Sequence, residues 1–207
     1  MTKAPRRLTA TAHGILLAAT LLAGAAQADP QVGQPAPPFS VADTQGKVWT
    51  LADLGGRTAV LEWTNHDCPY VRKHYGAGNM QALQSEATAQ GVLWLTVISS
   101  SPGKQGHVSP AEADALTKSR GAAPTAVLLD ETGAMGRAYA ARTTPHMYVI
   151  APDGTLRYMG GIDDRPTADP ADIAGAKPYV RMALADLAAG RTVADPVTRP
   201  YGCSVKY

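Results

Sequence analysis

A cysteine at a strand–helix junction constrains this chain more than any other feature. Residues 58–63 are apolar and rich in β-favouring types, Thr64-Asn65-His66-Asp67 are polar turn formers, and Cys68 follows directly before Pro69. Proline suits the first position of a helix, where its missing N–H would be unpaired anyway. The spacing therefore makes Cys68 the N-cap of a helix. A sulfur there faces unpaired backbone N–H groups and the positive end of the helix dipole. Both favour the thiolate, which is the nucleophilic form.

The surrounding pattern predicts an α/β fold with a central mixed sheet flanked by helices. Residues 39–41 and 47–51 bracket Asp43-Thr44-Gln45-Gly46 as a hairpin. Strand 58–63 leads into a helix over 69–90 that Gly76-Ala77-Gly78 interrupts. Residues 92–99 form a continuous β-branched run, the pattern of a strand buried on both faces. Ser109-Pro110-Ala111-Glu112 carries a cap, a first-turn proline and a capping-box glutamate, and starts a helix to Arg120. Strand 125–129, a short helix over 130–140, a hairpin of 147–150 with 155–160, a polar loop over 162–177 and an amphipathic helix over 179–189 follow. The early strand–helix alternation implies parallel pairing, and the late hairpin adds antiparallel strands. Residues 193–207 read as an irregular tail bearing Cys203, with no docking motif.

The N-terminus reads as an export signal. Lys3, Arg6 and Arg7 precede an apolar run from Gly14 to Ala26, and Ala26-Gln27-Ala28 offers a cleavage site after Ala28. The expected division is a signal peptide over 1–28, one domain over 29–190 and a tail over 191–207. Cleavage removes three basic residues and takes the formal net charge from +2 to −1, so the basic precursor argues for no nucleic-acid partner. No second long apolar run occurs, so no membrane span is expected in the mature chain, which is placed in the periplasm or outside the cell. A disulfide between Cys68 and Cys203 is permitted there.

The Cys68 junction, together with Thr144-Pro145 ahead of the strand at 147–150, resembles the thioredoxin fold. The added hairpin and the 110–120 helix resemble its redoxin branch, the peroxiredoxin and alkyl hydroperoxide reductase/thiol-specific antioxidant group. Within that branch, the run from Asn65 to Val71 is similar to a peroxiredoxin-like subgroup with a single cysteine at this junction. The resemblance covers residues 32–189 and implies a cis Pro145 facing Cys68. It also implies an antioxidant thiol oxidoreductase acting on a small peroxide or a protein disulfide, with an external thiol as reductant and no cofactor.

The departures are specific. Val71 stands where thioredoxins place a second cysteine. In the peroxiredoxin pattern Pro-x-x-x-Thr-x-x-Cys, the proline and threonine slots hold Leu61 and Asn65. Asn65 keeps a hydrogen-bonding side chain without the hydroxyl, and Arg142 is the nearest candidate for the arginine that peroxiredoxins set beside the sulfur. His66 and His74 flank Cys68 along the chain, and His146 follows Pro145. Arg72 and Lys73 read as solvent-facing. Cys203 is open to three roles: a resolving thiol, a structural staple worth about 4–5 kcal/mol of chain entropy, or a free tail cysteine. An alternative function is copper binding by His66, Cys68, His74 and His146, since sulfur with imidazole suits Cu(I). A scaffold or partner-binding module without catalysis is the third.

Overall fold

The computed structural model describes residues 1–2, 4 and 29–207, so the expected signal peptide and its cut after Ala28 lie outside the described residues. A five-stranded sheet runs in the order β5-β4-β3-β7-β8, with β3 Ala59–Trp63, β4 Leu93–Ile98, β5 Ala126–Leu129, β7 His146–Ile150 and β8 Leu156–Gly160. β3, β4 and β5 are mutually parallel, while β7 and β8 pair antiparallel. The crossovers between the parallel strands are helices: α1 Pro69–Gly76 and α2 Asn79–Ala89 after β3, and α3 Pro110–Ser119 after β4. A separate hairpin, β1 Ser40–Ala42 with β2 Val48–Thr50, precedes them, while α4 Ala134–Ala138 and α5 Tyr179–Ala188 come later.

Period-two alternation in β3 divides the core. Ala59, Leu61 and Trp63 face one layer with Leu95, Val97, Tyr148 and Ile150. Val60 faces the other, with Val71, Met80, Leu83, Trp94, Val149 and Val180 beneath α1, α2 and α5. Glu62 is fully buried in β3. Its carboxylate accepts from the Tyr75 hydroxyl and Trp94 Nε1, both at 2.8 Å, and from Gln84 and Thr96. Four donors compensate a group that would otherwise be costly to bury. Burial still pushes this carboxyl upward, with the four bonds pulling back.

The break at residues 76–78 falls where the glycines were: α1 ends at Gly76, and Gly78 takes a left-handed conformation (φ 73°) as cap of α2. α3 begins as predicted. The Ser109 hydroxyl accepts from Glu112 N at 3.3 Å, and the Glu112 carboxylate accepts from Ser109 N at 2.7 Å.

The tail differs from its reading as irregular. Thr198 N donates to Met159 O and Met159 N donates to Pro196 O, both at 3.1 Å, so the tail lies along β8. Gly160 makes this approach feasible, because a Cβ there would sit 2.1 Å from Thr198 Oγ1. Further on, β9 Cys203–Ser204 pairs antiparallel with β6 Thr143–Thr144. Val205 N donates to Arg142 O at 3.1 Å, and the Tyr207 hydroxyl donates to Ala141 O at 2.8 Å. A sequence with little periodicity is held by backbone pairing rather than by an amphipathic face.

Ser109→Ala removes the cap of α3 and is expected to lower the unfolding free energy by about 1 kcal/mol, read as a shifted urea midpoint at unchanged slope.

Candidate functional site

Cys68 caps α1 with extended backbone angles (φ −71°, ψ 124°), and Pro69 takes the first helical position. Its carbonyl accepts from Arg72 N at 2.9 Å. The Thr144-Pro145 peptide is cis, as expected for the loop facing the cysteine. Cys68 Sγ donates to Thr144 O at 3.1 Å and accepts from Cys203 N at 3.4 Å. The sulfur therefore does face the Thr144-Pro145 loop, but the tail covers that face and leaves Cys68 0% exposed.

The pairing of β6 with β9 creates this arrangement. Thr144 and Cys203 are direct cross-strand partners, so Cys203 comes to the sulfur although it lies far away in sequence. Gly202 lets the two strands close: its φ is 136°, and a Cβ would lie 2.0 Å from the Thr144 carbonyl oxygen. Both cysteines are unbridged thiols.

The pair is electrostatically unequal. Burial pushes the Cys68 thiol up, but bonds from the Cys203 thiol and from the N–H groups of Val71 and Cys203 outweigh it and bring Cys68 below the ordinary thiol value. Burial and the neighbouring Cys68 push Cys203 up to about 11. Of the two thiols, Cys68 is the more readily ionised.

Several residues expected around the sulfur are committed elsewhere. Asn65 Nδ2 donates to Gln105 O at 3.3 Å and its Oδ1 accepts from Asp67 N at 3.0 Å, so its side chain fastens the 100–109 loop instead of serving the cysteine. The Arg142 amide donates to His146 Nδ1 at 3.3 Å, and that nitrogen also lies 3.0 Å from the Tyr148 hydroxyl. His146 packs on the Tyr148 ring (centroids 4.5 Å apart) and makes no hydrogen bond to Cys68. His66 is half-buried, 3.5 Å from Asp67, and its carbonyl accepts from Arg72 and Arg120.

Two side chains on α1 correct the reading outright. Lys73 is buried rather than solvent-facing: its Nζ donates to Arg165 O at 2.9 Å and lies 3.9 Å from Asp163 Oδ2. His74 is also buried, and both its ring nitrogens are engaged by groups other than the sulfur, Asn79 on Nδ1 at 2.8 Å and the Tyr201 hydroxyl on Nε2 at 3.1 Å. With His74 and His146 so engaged, the copper set His66, Cys68, His74 and His146 does not converge. Among the described residues no group of three or more His, Cys, Asp or Glu is placed to hold a metal.

The sequence reading missed Asp163, Tyr201 and Gly202. Asp163 sat in a stretch read as a polar loop, yet it is buried and accepts from the Tyr201 hydroxyl. The run Pro200-Tyr201-Gly202-Cys203 held the available signal: an aromatic anchor and a glycine directly before a cysteine.

A sheet of this order, with a cysteine capping the helix after its central strand and a cis-proline loop opposite, defines a thioredoxin-like redox fold. Residues 32–159 match the AhpC/TSA family, and the chain belongs to that family. No curated protein sequence matches the chain. Among solved structures, an uncharacterised conserved protein from Geobacillus kaustophilus is similar at 27% identity and a TM-score of 0.75, covering 86% of this chain and 92% of that one. A hypothetical protein from Sinorhizobium meliloti 1021 is similar at 22% identity and TM-score 0.72, covering 87% and 96%. A candidate thiol:disulfide interchange protein DsbE from Chlorobium tepidum shares the fold at 21% identity and TM-score 0.51, covering 63% and 85%. Membership of this family implies thiol-dependent oxidoreductase chemistry. Among the described residues no helix is long and apolar enough to cross a membrane.

The buried histidines give a pH signature. Burial, followed by the opposing pull of Asp163 and the push of Lys73, lowers His74 to about 4. Burial and Arg142 lower His146 to about 3. In the unfolded chain both titrate near about 6.5. Their contribution to stability is therefore complete above that pH and is lost as pH falls toward the folded values. Urea unfolding is expected to show a loss of about 2 kcal/mol or more between about pH 7 and about pH 4.5, and His74→Gln is expected to shrink it.

Proposed function

We propose that the protein is an exported peroxiredoxin-like thiol oxidoreductase with antioxidant activity, in which Cys68 reduces a small peroxide and Cys203 resolves the product. The observation that carries this reading is the seating of Cys203 N 3.4 Å from Cys68 Sγ by the β6–β9 pairing. Export to the periplasm or the exterior rests on the N-terminal sequence pattern alone.

Mechanism

In the proposed cycle the Cys68 thiolate attacks one peroxide oxygen. The O–O bond breaks, an S–O bond forms, and the departing oxygen takes a proton from solvent to leave as water or an alcohol. Cys68 is then a sulfenic acid. The Cys203 sulfur attacks it, the S–O bond breaks, and the Cys203 thiol proton leaves with the hydroxyl as water. The product is the Cys68–Cys203 disulfide.

An external thiol closes the cycle. Cys203 is only partly buried, whereas Cys68 is covered, so the reductant meets the Cys203 sulfur first. Attack there expels Cys68, the partner with the lower pKa and so the better leaving group, and leaves a mixed disulfide on Cys203. A second external thiol attacks the reductant's sulfur, releasing the Cys203 thiol and the reductant as its own disulfide. The covered Cys68 also favours a small peroxide over a protein disulfide as the oxidising substrate. A protein disulfide could reach the sulfur only after β9 had left β6, whereas a peroxide needs only a small fluctuation of the tail.

Peptide mapping of the mature protein under non-reducing conditions tests this reading. After one equivalent of hydrogen peroxide the Cys68–Cys203 disulfide is expected to dominate. Cys203→Ser should instead accumulate dimedone-reactive Cys68, and Cys68→Ser should consume no peroxide. Persistence of both free thiols in the wild type through the pulse would sink the proposal.

A further inference from the structure

The resolving role leaves a buried polar cluster unexplained. Lys73 and His74 on the last turn of α1, Asp163 after β8 and Tyr201 in the tail meet in one buried cluster. The Tyr201 hydroxyl donates to Asp163 Oδ1. Asn79 donates to His74 Nδ1 at 2.8 Å, which places the imidazole proton on Nε2, facing the Tyr201 oxygen at 3.1 Å. The hydroxyl is therefore saturated as donor and acceptor. Its ring lies edge-on to Tyr70, with centroids 5.8 Å apart, one residue beyond Pro69 at the start of α1.

Buried bonds to charged groups are among the stronger ones, and this set ties the tail to the helix that carries Cys68. Only Gly202 separates Tyr201 from Cys203. By contrast, β9 is two residues long and has little pairing of its own. Asp163 Oδ2 finds no hydrogen-bond partner; its one nearby cation is the Lys73 ammonium at 3.9 Å, and the neutral His74 ring lies 3.8 Å away. A buried carboxylate retained at that expense fits a positioning task better than it fits stability alone.

We propose that Tyr201 is the positioning residue for the second thiol: held by Asp163 and His74, its hydroxyl keeps Cys203 seated over Cys68. The inference rests on Cys203 as resolving thiol for its functional meaning, though the seating itself is measurable without any redox step. Losing the hydroxyl unseats the tail, uncovers Cys68 and slows disulfide closure.

The test is Tyr201→Phe in the full mature chain, which keeps the ring and removes only the hydroxyl. Alkylation of reduced Cys68 by iodoacetamide is expected to quicken by about tenfold, the factor that one such hydrogen bond carries. After one equivalent of hydrogen peroxide, disulfide closure should slow by a similar factor, with sulfenic acid trapped by dimedone in its place. Gly202→Ala serves as a second variant, since its Cβ would meet the Thr144 carbonyl at 2.0 Å and lift the tail without touching the Tyr201 partners. Tyr201→Ala repeats the test at larger amplitude, and a thermal melt checks that each variant is folded.

Alkylation and closure both within twofold of wild type in Tyr201→Phe would overturn the proposal. So would a Gly202→Ala protein that uncovers Cys68 while Tyr201→Phe does not. A wild type that never forms the disulfide defeats the redox reading alone, and the alkylation rates then still decide the positioning.

Discussion

The pairing of Thr144 with Cys203 is the contact on which the site depends. One cross-strand step supplies the Cys68 sulfur with an acceptor on one side, the Thr144 carbonyl, and a donor on the other, the Cys203 amide. It also shields that sulfur from solvent and brings the second thiol within reach. Each of these would otherwise need its own residue. The cost lies in geometry: the strands must approach so closely that only glycine fits at 202.

Two of the buried carboxylates, Glu62 and Asp163, are treated differently. Glu62 accepts four hydrogen bonds from β4, α1 and α2, and that network ties the central strand to the helices covering it. Asp163 is less well served, with one oxygen lacking any hydrogen bond. A satisfied network rigidifies its surroundings, whereas a partly satisfied one is easier to disturb. The protein thus joins a firm platform under Cys68 to a tail whose attachment is the weaker of the two.

The elements written in local code were legible. The capping box at Ser109, the glycines between α1 and α2, the buried run of β4 and the N-cap at Cys68 each depend on residues a few positions apart, and each appears where the pattern put it. The tail was not legible, because backbone pairing to β8 and β6 leaves no periodicity in the residues that make it. Lys73 and His74 misled for a related reason. Charged types on an amphipathic helix normally face water, and here Asp163, about ninety positions away, turns them inward. The Asn65 and His146 side chains are engaged by other partners: Asn65 by Gln105 O and Asp67 N, His146 by the Arg142 amide and the Tyr148 hydroxyl.

The two thiols lie far apart in sequence and on different elements. Cys68 caps a helix and is held below the ordinary thiol value by hydrogen bonds, while burial and the neighbouring Cys68 push Cys203, on a strand, up to about 11. That inequality gives the disulfide a direction, since whichever thiol attacks Cys203 expels the better leaving group. The same long separation makes the second thiol conditional. Its presence at the sulfur is set by how the tail is held, and the buried cluster under Tyr201 is where the structure concentrates that hold.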